Sequence, residues 1–203
     1  MKITVVGGSK GTGAQVVRIA AEAGHEVTCL SRSGSDAAGV RNVTGDALDR
    51  ETARAAVTGA DAVVITVGGA KGSPGHRAAV TRNIIGAMQD TGAPRLVVMS
   101  SLGVGDSAQL LPRLTRPVVL LLLGRALADH AKQEALVAAS GLDWTVVRPG
   151  GLADGPPAGF VAQETAEGRP MKARVRRADV ARWIVECLDD PATHGRAIAM
   201  GTA

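Results

Sequence analysis

The residues best placed to do chemistry stand near the N-terminus, in Val5-Val6-Gly7-Gly8-Ser9-Lys10-Gly11-Thr12-Gly13-Ala14. Lys2 to Val6 is a short, β-branched run with the composition of a buried strand. Glycines follow at once, and Ala14 to Ala20 then has helical spacing. Glycine lets the backbone turn tightly and come close to a phosphate, and a helix N-terminus offers free N–H groups and the positive end of its dipole. The segment therefore predicts a pyrophosphate cradle made by Gly7, Gly8, Ser9, Lys10, Gly11, Thr12 and Gly13. The spacing is G-x-x-x-G-x-G with an added Gly8, rather than the more usual G-x-G-x-x-G.

A second group of residues bears on which dinucleotide fits. Glu26 to Leu30 reads as the second strand, and Ser31-Arg32-Ser33-Gly34-Ser35 follows it. In a dinucleotide fold this strand ends at the adenosine ribose, where an acid suits a free 2′-hydroxyl and a base suits a 2′-phosphate. Here Arg32 lies between two serines, with no acid before Asp36, and Lys10 adds a second positive charge. The pattern favours NADP(H) over NAD(H). Asp46, at the end of the third strand, serves either to accept a hydrogen bond from the adenine amino group or to cap the helix that follows. Val67 and Gly68 follow the apolar fourth strand, where glycines again suggest a close approach to ligand. Ser100 and Ser101 end the fifth strand and place two hydroxyls beside the nicotinamide end of such a cofactor.

The elements that must position these residues alternate. Strands are expected at about 2–6, 26–30, 41–46, 61–66, 95–99, 143–148 and 197–200, with a further short strand over 160–165. Helices are expected at about 11–23, 49–57, 75–89, 126–140 and 179–188. Leu110 to Gly124 is rich in Pro and Leu and reads as a helix or a lid, over the substrate or at a dimer interface. This alternation implies an α/β fold of Rossmann type, a doubly wound parallel sheet. With 203 residues and no linker or repeat, one domain is expected, with a small substrate lobe mainly over 150–180.

Composition removes several function classes. The chain is 45% hydrophobic, which excludes a disordered or fibrous protein. Its 23 basic residues barely exceed 19 acidic ones, and aromatics are 1%, so nucleic acid is not an expected partner. The longest apolar run, Pro117 to Leu123, is far shorter than the ~20 residues a membrane span needs, and no membrane partner is expected. Met1 leads straight into a strand with no secretory signal, so a cytoplasmic location is expected. Cys29 and Cys187 lie in separate apolar runs and read as buried free thiols. His25, His76 and His194 have no metal spacing, and no metal is expected. A monomer and a homodimer both fit.

Taken together, the glycine loop, Arg32, Val97-Val98-Met99-Ser100-Ser101, Asp129-His130-Ala131-Lys132-Gln133-Glu134, Arg148-Pro149-Gly150-Gly151 and Arg177-Ala178-Asp179-Val180-Ala181 carry a resemblance over nearly the whole chain. The chain resembles the atypical short-chain dehydrogenases/reductases of the NAD(P)H-binding, NmrA-like branch, which includes biliverdin-IXβ reductase/flavin reductase. The resemblance implies Ser101 as the active-site serine and His130 as the active-site histidine. It also implies cofactor contacts from Lys132, Pro149 and Gly150. Lys132 stands two positions from His130 and so points from another helix face. A second histidine of the flavin reductase would fall near Gly151 and is missing. Ordinary members of the superfamily use a Tyr-x-x-x-Lys pair, whereas this chain has no tyrosine.

Reduction of a flavin or quinone does not demand a strong, fixed acid, because the product can take its proton from water. The sequence therefore points to an NADPH-dependent oxidoreductase that passes hydride to a small conjugated acceptor, flavin- or quinone-like. Phe160, Trp144 and Trp183 offer little stacking surface, so flavin is expected only as a passing substrate. Two other readings are a non-catalytic NADP(H)-binding redox sensor and an epimerase- or dehydratase-like enzyme; the missing tyrosine counts against the second.

Overall fold

The computed structural model describes residues 1–69, 74–114, 116–165, 169–172 and 174–202. The loop expected after Gly69 lies, through residue 73, outside them. The chain order is β1 (Lys2–Val6), α1 (Gly11–Glu22), β2 (Glu26–Ser31), β3 (Arg41–Thr44), α2 (Arg50–Val57), β4 (Ala62–Ile65), α3 (His76–Thr91) and β5 (Arg95–Met99). There follow a short 3-10 helix (Gly105–Leu110), α4 (Arg116–Ala138), β6 (Asp143–Pro149), β7 (Gly151–Ala153), β8 (Val161–Glu164), β9 (Arg174–Arg176), α5 (Arg177–Glu186) and β10 (Arg196–Gly201).

Eight strands form one sheet in the order β3-β2-β1-β4-β5-β6-β10-β8. All neighbours pair parallel except β8, which runs antiparallel to β10 at the edge. The central strands are apolar on both faces because both faces are covered. Ile3, Val5, Val64, Val97 and Val147 point into a core shared with α1 and α5. Val6, Val63, Ile65, Leu96, Val98 and Val146 point into the opposite core, against α2, α3 and α4. Thr4, a buried polar side chain within β1, satisfies its hydroxyl on the Ala56 carbonyl oxygen at 2.6 Å. Cys29 and Cys187 are free and buried, and burial pushes the Cys187 thiol up to about 12. Trp144 and Trp183 are half-buried and pack on opposite cores.

Two stretches differ from expectation. A single helix, α4, covers the span read as a Leu-rich region followed by a separate helix. Pro117 is its second residue, where no intrahelical N–H partner is needed, so proline does not break it. Residues 153–173 are expected to be irregular apart from a strand over 160–165, which is β8, antiparallel to β10 at the edge of the main sheet. The departure lies at the borders of that stretch, where β7 and β9 form a parallel pair of their own. Three-residue strands are too short to show an alternating pattern in sequence.

Candidate functional site

The strand order reverses between β1 and β4, and the site opens there, at the carboxyl ends of the strands. It is a cleft of about 730 Å³. Gly7, Ser9, Lys10, Gly11 and Thr12 form its floor, and Arg32, Asp46, Val67 and Gly68 line it from the ends of β2, β3 and β4. The sequence reading had singled out all nine.

The local geometry explains the glycines. Gly11 has φ +57°, a left-handed conformation that suits glycine at the start of α1. Gly13 has no room for a side chain: a Cβ there would lie 2.3 Å from the Gly7 carbonyl oxygen and 2.4 Å from Thr66 Oγ1. Gly8 packs away from the cleft, against Val17 and Cys29. The first turn of α1 has no side-chain cap and no acid. Its N–H groups are therefore left for a ligand or water. Thr12 Oγ1 is buried and has no hydrogen-bond partner, although Thr12 lines the cleft. Buried hydroxyls are normally paired, so this one is a donor in want of an acceptor. A phosphate fits this set of donors.

The charge lining the cleft is mainly positive. Lys10, Arg32 and Arg177 contribute to the wall, and Asp46 is the only acid among the described lining residues. Lys10 and Arg32 are exposed and make no ion pair among the described residues. Asp49, rather than Asp46, caps α2, accepting from the Thr52 backbone N–H at 2.7 Å. Asp46 turns on the Leu48 N–H at 2.9 Å. Sequence reasoning does not single out Arg177 as a wall residue. It opens α5, its Nε lies 3.5 Å from where a Cβ on Gly11 would be, and Asp154 holds its guanidinium at 2.9 Å. The basic run Arg174-Val175-Arg176-Arg177 was the available signal. Placing it at the cradle depends on α5 docking beside α1.

The residues expected at the nicotinamide end do not line this cleft. Ser100 is buried and donates to Glu134, which also holds Arg148 Nη2 at 2.7 Å. Arg148 reaches on to Asp106 Oδ1 at 2.6 Å and Thr165 Oγ1 at 3.0 Å. Ser101 is half-buried, its hydroxyl donating to the Leu102 carbonyl oxygen at 3.2 Å. The Pro149 carbonyl accepts from the Leu102 N–H at 2.8 Å, and the Gly150 N–H donates to the Met200 carbonyl at 2.9 Å, so both close the sheet beyond the end of β5. Lys132 is exposed on α4.

His130 is buried between α3 and α4. Its Nδ1 lies 3.0 Å from Gln133 Oε1, and Gln133 Nε2 donates to Thr81 Oγ1 at 2.9 Å. With the amide nitrogen committed to Thr81, Oε1 must accept and Nδ1 carries the proton. Burial, and then the charge of Arg77, hold the imidazole pKa below its ordinary value, although the Gln133 bond and the charges of Glu134 and Asp129 oppose them. Asp129 caps α3 from α4, accepting from the Arg77 and Ala78 N–H groups at 3.1 and 3.2 Å.

Residues 7–191 match a family described as NAD(P)H-binding. The chain belongs to the NAD(P)H-binding family. Solved structures share its fold. ChuY, an anaerobillin reductase from Escherichia coli O157:H7, is 31% identical with a TM-score of 0.82, covering 99% of this chain and 97% of that one. A short-chain dehydrogenase/reductase of Veillonella parvula DSM 2008, solved in complex with NADP, shares the fold at 20% identity. Its TM-score is 0.83, and the match covers 98% of this chain and 94% of that one. An uncharacterized chloroplastic protein of Arabidopsis thaliana is 33% identical over 110 residues, which are 53% of this chain and 38% of that protein. This family chain thus carries a nicotinamide-nucleotide fold and a cleft whose donors suit phosphate.

Two outcomes follow. Thr12→Val removes a hydroxyl with no partner in the free protein, so thermal stability should hold or rise. Affinity for NADP(H), measured by calorimetry, should fall about tenfold, as for one lost hydrogen bond to a charged group. Unchanged affinity would separate Thr12 from the phosphate site. For His130, the unfolded side chain titrates near 6.5 while the folded value is lower. Its contribution is complete above pH ~6.5 and is lost as pH falls from there through the folded value. The melting temperature of the native chain should drop in that window, and His130→Gln should flatten the drop.

Proposed function

We propose that this chain is an NADPH-dependent reductase that passes hydride to a small conjugated acceptor, flavin- or quinone-like. The observation that carries the proposal is one cleft that unites an uncapped helix N-terminus, the unpartnered Thr12 hydroxyl and the cations Lys10, Arg32 and Arg177. Thr12 and the first N–H groups of α1 would hold the pyrophosphate. Arg32, with Lys10, would take the 2′-phosphate, since a planar guanidinium makes paired hydrogen bonds to phosphate oxygens. The bound nicotinamide supplies the hydride. Val67, Gly68 and Met99 would bound the nicotinamide side of the cleft.

The choice of acceptor rests on what the chain lacks and on the state of its histidine. It has no tyrosine to protonate an alkoxide. His130, held neutral by burial and tied to Gln133, is a poor reservoir of protons at neutral pH. Acceptors that can draw their proton from water suit such a site. Ser101, half-buried just beyond the cleft lining, is the side chain proposed to orient the acceptor, and His130, buried on α4, is proposed as a positioning residue. The similarity to ChuY adds anaerobillin to the compounds worth offering.

The test is NADPH oxidation, followed by absorbance, with FMN, riboflavin, a quinone and anaerobillin offered in turn. At least one should support turnover, and Ser101→Ala and His130→Ala should each lower kcat about tenfold, the scale of one lost hydrogen bond in a desolvated site. If both variants keep full turnover, those two assignments fall while the reductase reading stands. Tight NADP(H) binding with no turnover on any acceptor would replace the reductase with a redox sensor.

A further inference from the structure

Helix α4 is anchored on one side and bare on the other. Val119 and Leu120 pack on Leu102, Leu110 and Leu111, fixing its N-terminal half to the body. The outward residues are equally apolar. Leu114 is 94% exposed, Leu121 84%, Leu122 76% and Val118 56%. Val118, Leu121, Leu122 and Arg125 recur at i, i+3, i+4 and i+7, so they share one helix face. Soluble monomers rarely leave several large aliphatic side chains together in water, and such a patch marks an interaction surface.

The charges around the patch say what kind of surface it meets. Arg113, Arg116 and Arg125 are exposed, and their side chains have no hydrogen bond or ion pair among the described residues. No acid occurs in the sequence between Asp106 and Asp129. We propose that this face seats on an anionic lipid bilayer, with the leucines at the acyl boundary and the three arginines among the phosphates. A second copy is the poorer occupant. A two-fold contact through this face would gather the arginines of both copies at one interface, with no acid in the segment to pair them. The earlier expectation of no membrane partner rests on the length of the apolar run, which excludes spanning but not seating. Indeed, no helix among the described residues is long and apolar enough to cross a bilayer.

Flotation of the purified chain with vesicles tests this. Vesicles of phosphatidylcholine mixed with phosphatidylglycerol should carry the protein at low salt and release it at high salt, and phosphatidylcholine alone should carry much less. Leu121→Ser with Leu122→Ser should lower recovery at least tenfold. Arg113→Gln with Arg116→Gln and Arg125→Gln should lower partitioning into the anionic vesicles on the order of a hundredfold. Both variants alter exposed side chains and should keep the native melting temperature. Absence of the native chain from the anionic vesicles at low salt, or equal flotation of either variant, overturns the proposal. So does a native dimer in sedimentation that the leucine variant turns into a monomer, which would assign the face to a second copy.

Discussion

The closest constraint in the fold is the contact between Gly13 of α1 and the Gly7 carbonyl that follows β1. No methyl group fits there, since a Cβ would lie 2.3 Å from that oxygen. This contact seats the first turn of α1 directly over the end of β1, beside Thr66 at the end of β4. The free N–H groups, Thr12 and the basic wall meet at one cleft only because α1 starts there. A helix set back to clear a side chain would carry its N-terminus away from the switch point between β1 and β4.

The rest of the fold holds that geometry in place. Two apolar cores clamp the sheet from either face, with α1 and α5 on one side and α2, α3 and α4 on the other. Buried polar groups set the register of these layers where apolar packing alone would let them slide. Arg95 bonds to the Asp143 and Cys187 carbonyls and to the hydroxyls of Thr145 and Thr193, tying β5 and β6 to the turns after α5. Asp129 and Gln133 fasten α4 to the first half of α3, with His130 bonded to Gln133 within α4. Arg148 joins Glu134 of α4 to Asp106 and Thr165, and through Glu134 to Ser100. Removing one partner of such a buried pair leaves an uncompensated charge, which makes the layers interdependent.

The parts of this arrangement that depend on local chemistry were legible in the sequence. β-Branched runs gave the central strands, and glycines after β1 gave the cradle, because a tight turn before a helix admits little else. Arg32 and Asp46 could be placed because a strand end fixes where its next residues go. Features set by docking were not legible. Arg177 reaches the cleft only once α5 lies beside α1, and nothing in its own segment announces that. Leu110 to Gly124 reads as a helix or a lid apart from the helix at 126–140, whereas α4 runs unbroken from Arg116 to Ala138, since its anchoring contacts come from Leu102, Leu110 and Leu111. Likewise, a histidine on a helix reads as a ready proton donor until its burial and its bond to Gln133 are seen.

The central claim is that this cleft is built for a nicotinamide dinucleotide bearing a 2′-phosphate. Calorimetric titration of the purified chain with NADPH and, separately, with NADH measures it most directly. If Arg32 and Lys10 meet that phosphate, NADPH binds about tenfold or more tightly than NADH, the scale expected for charge-assisted hydrogen bonds. Equal or tighter binding of NADH, or no binding of either, would contradict the account.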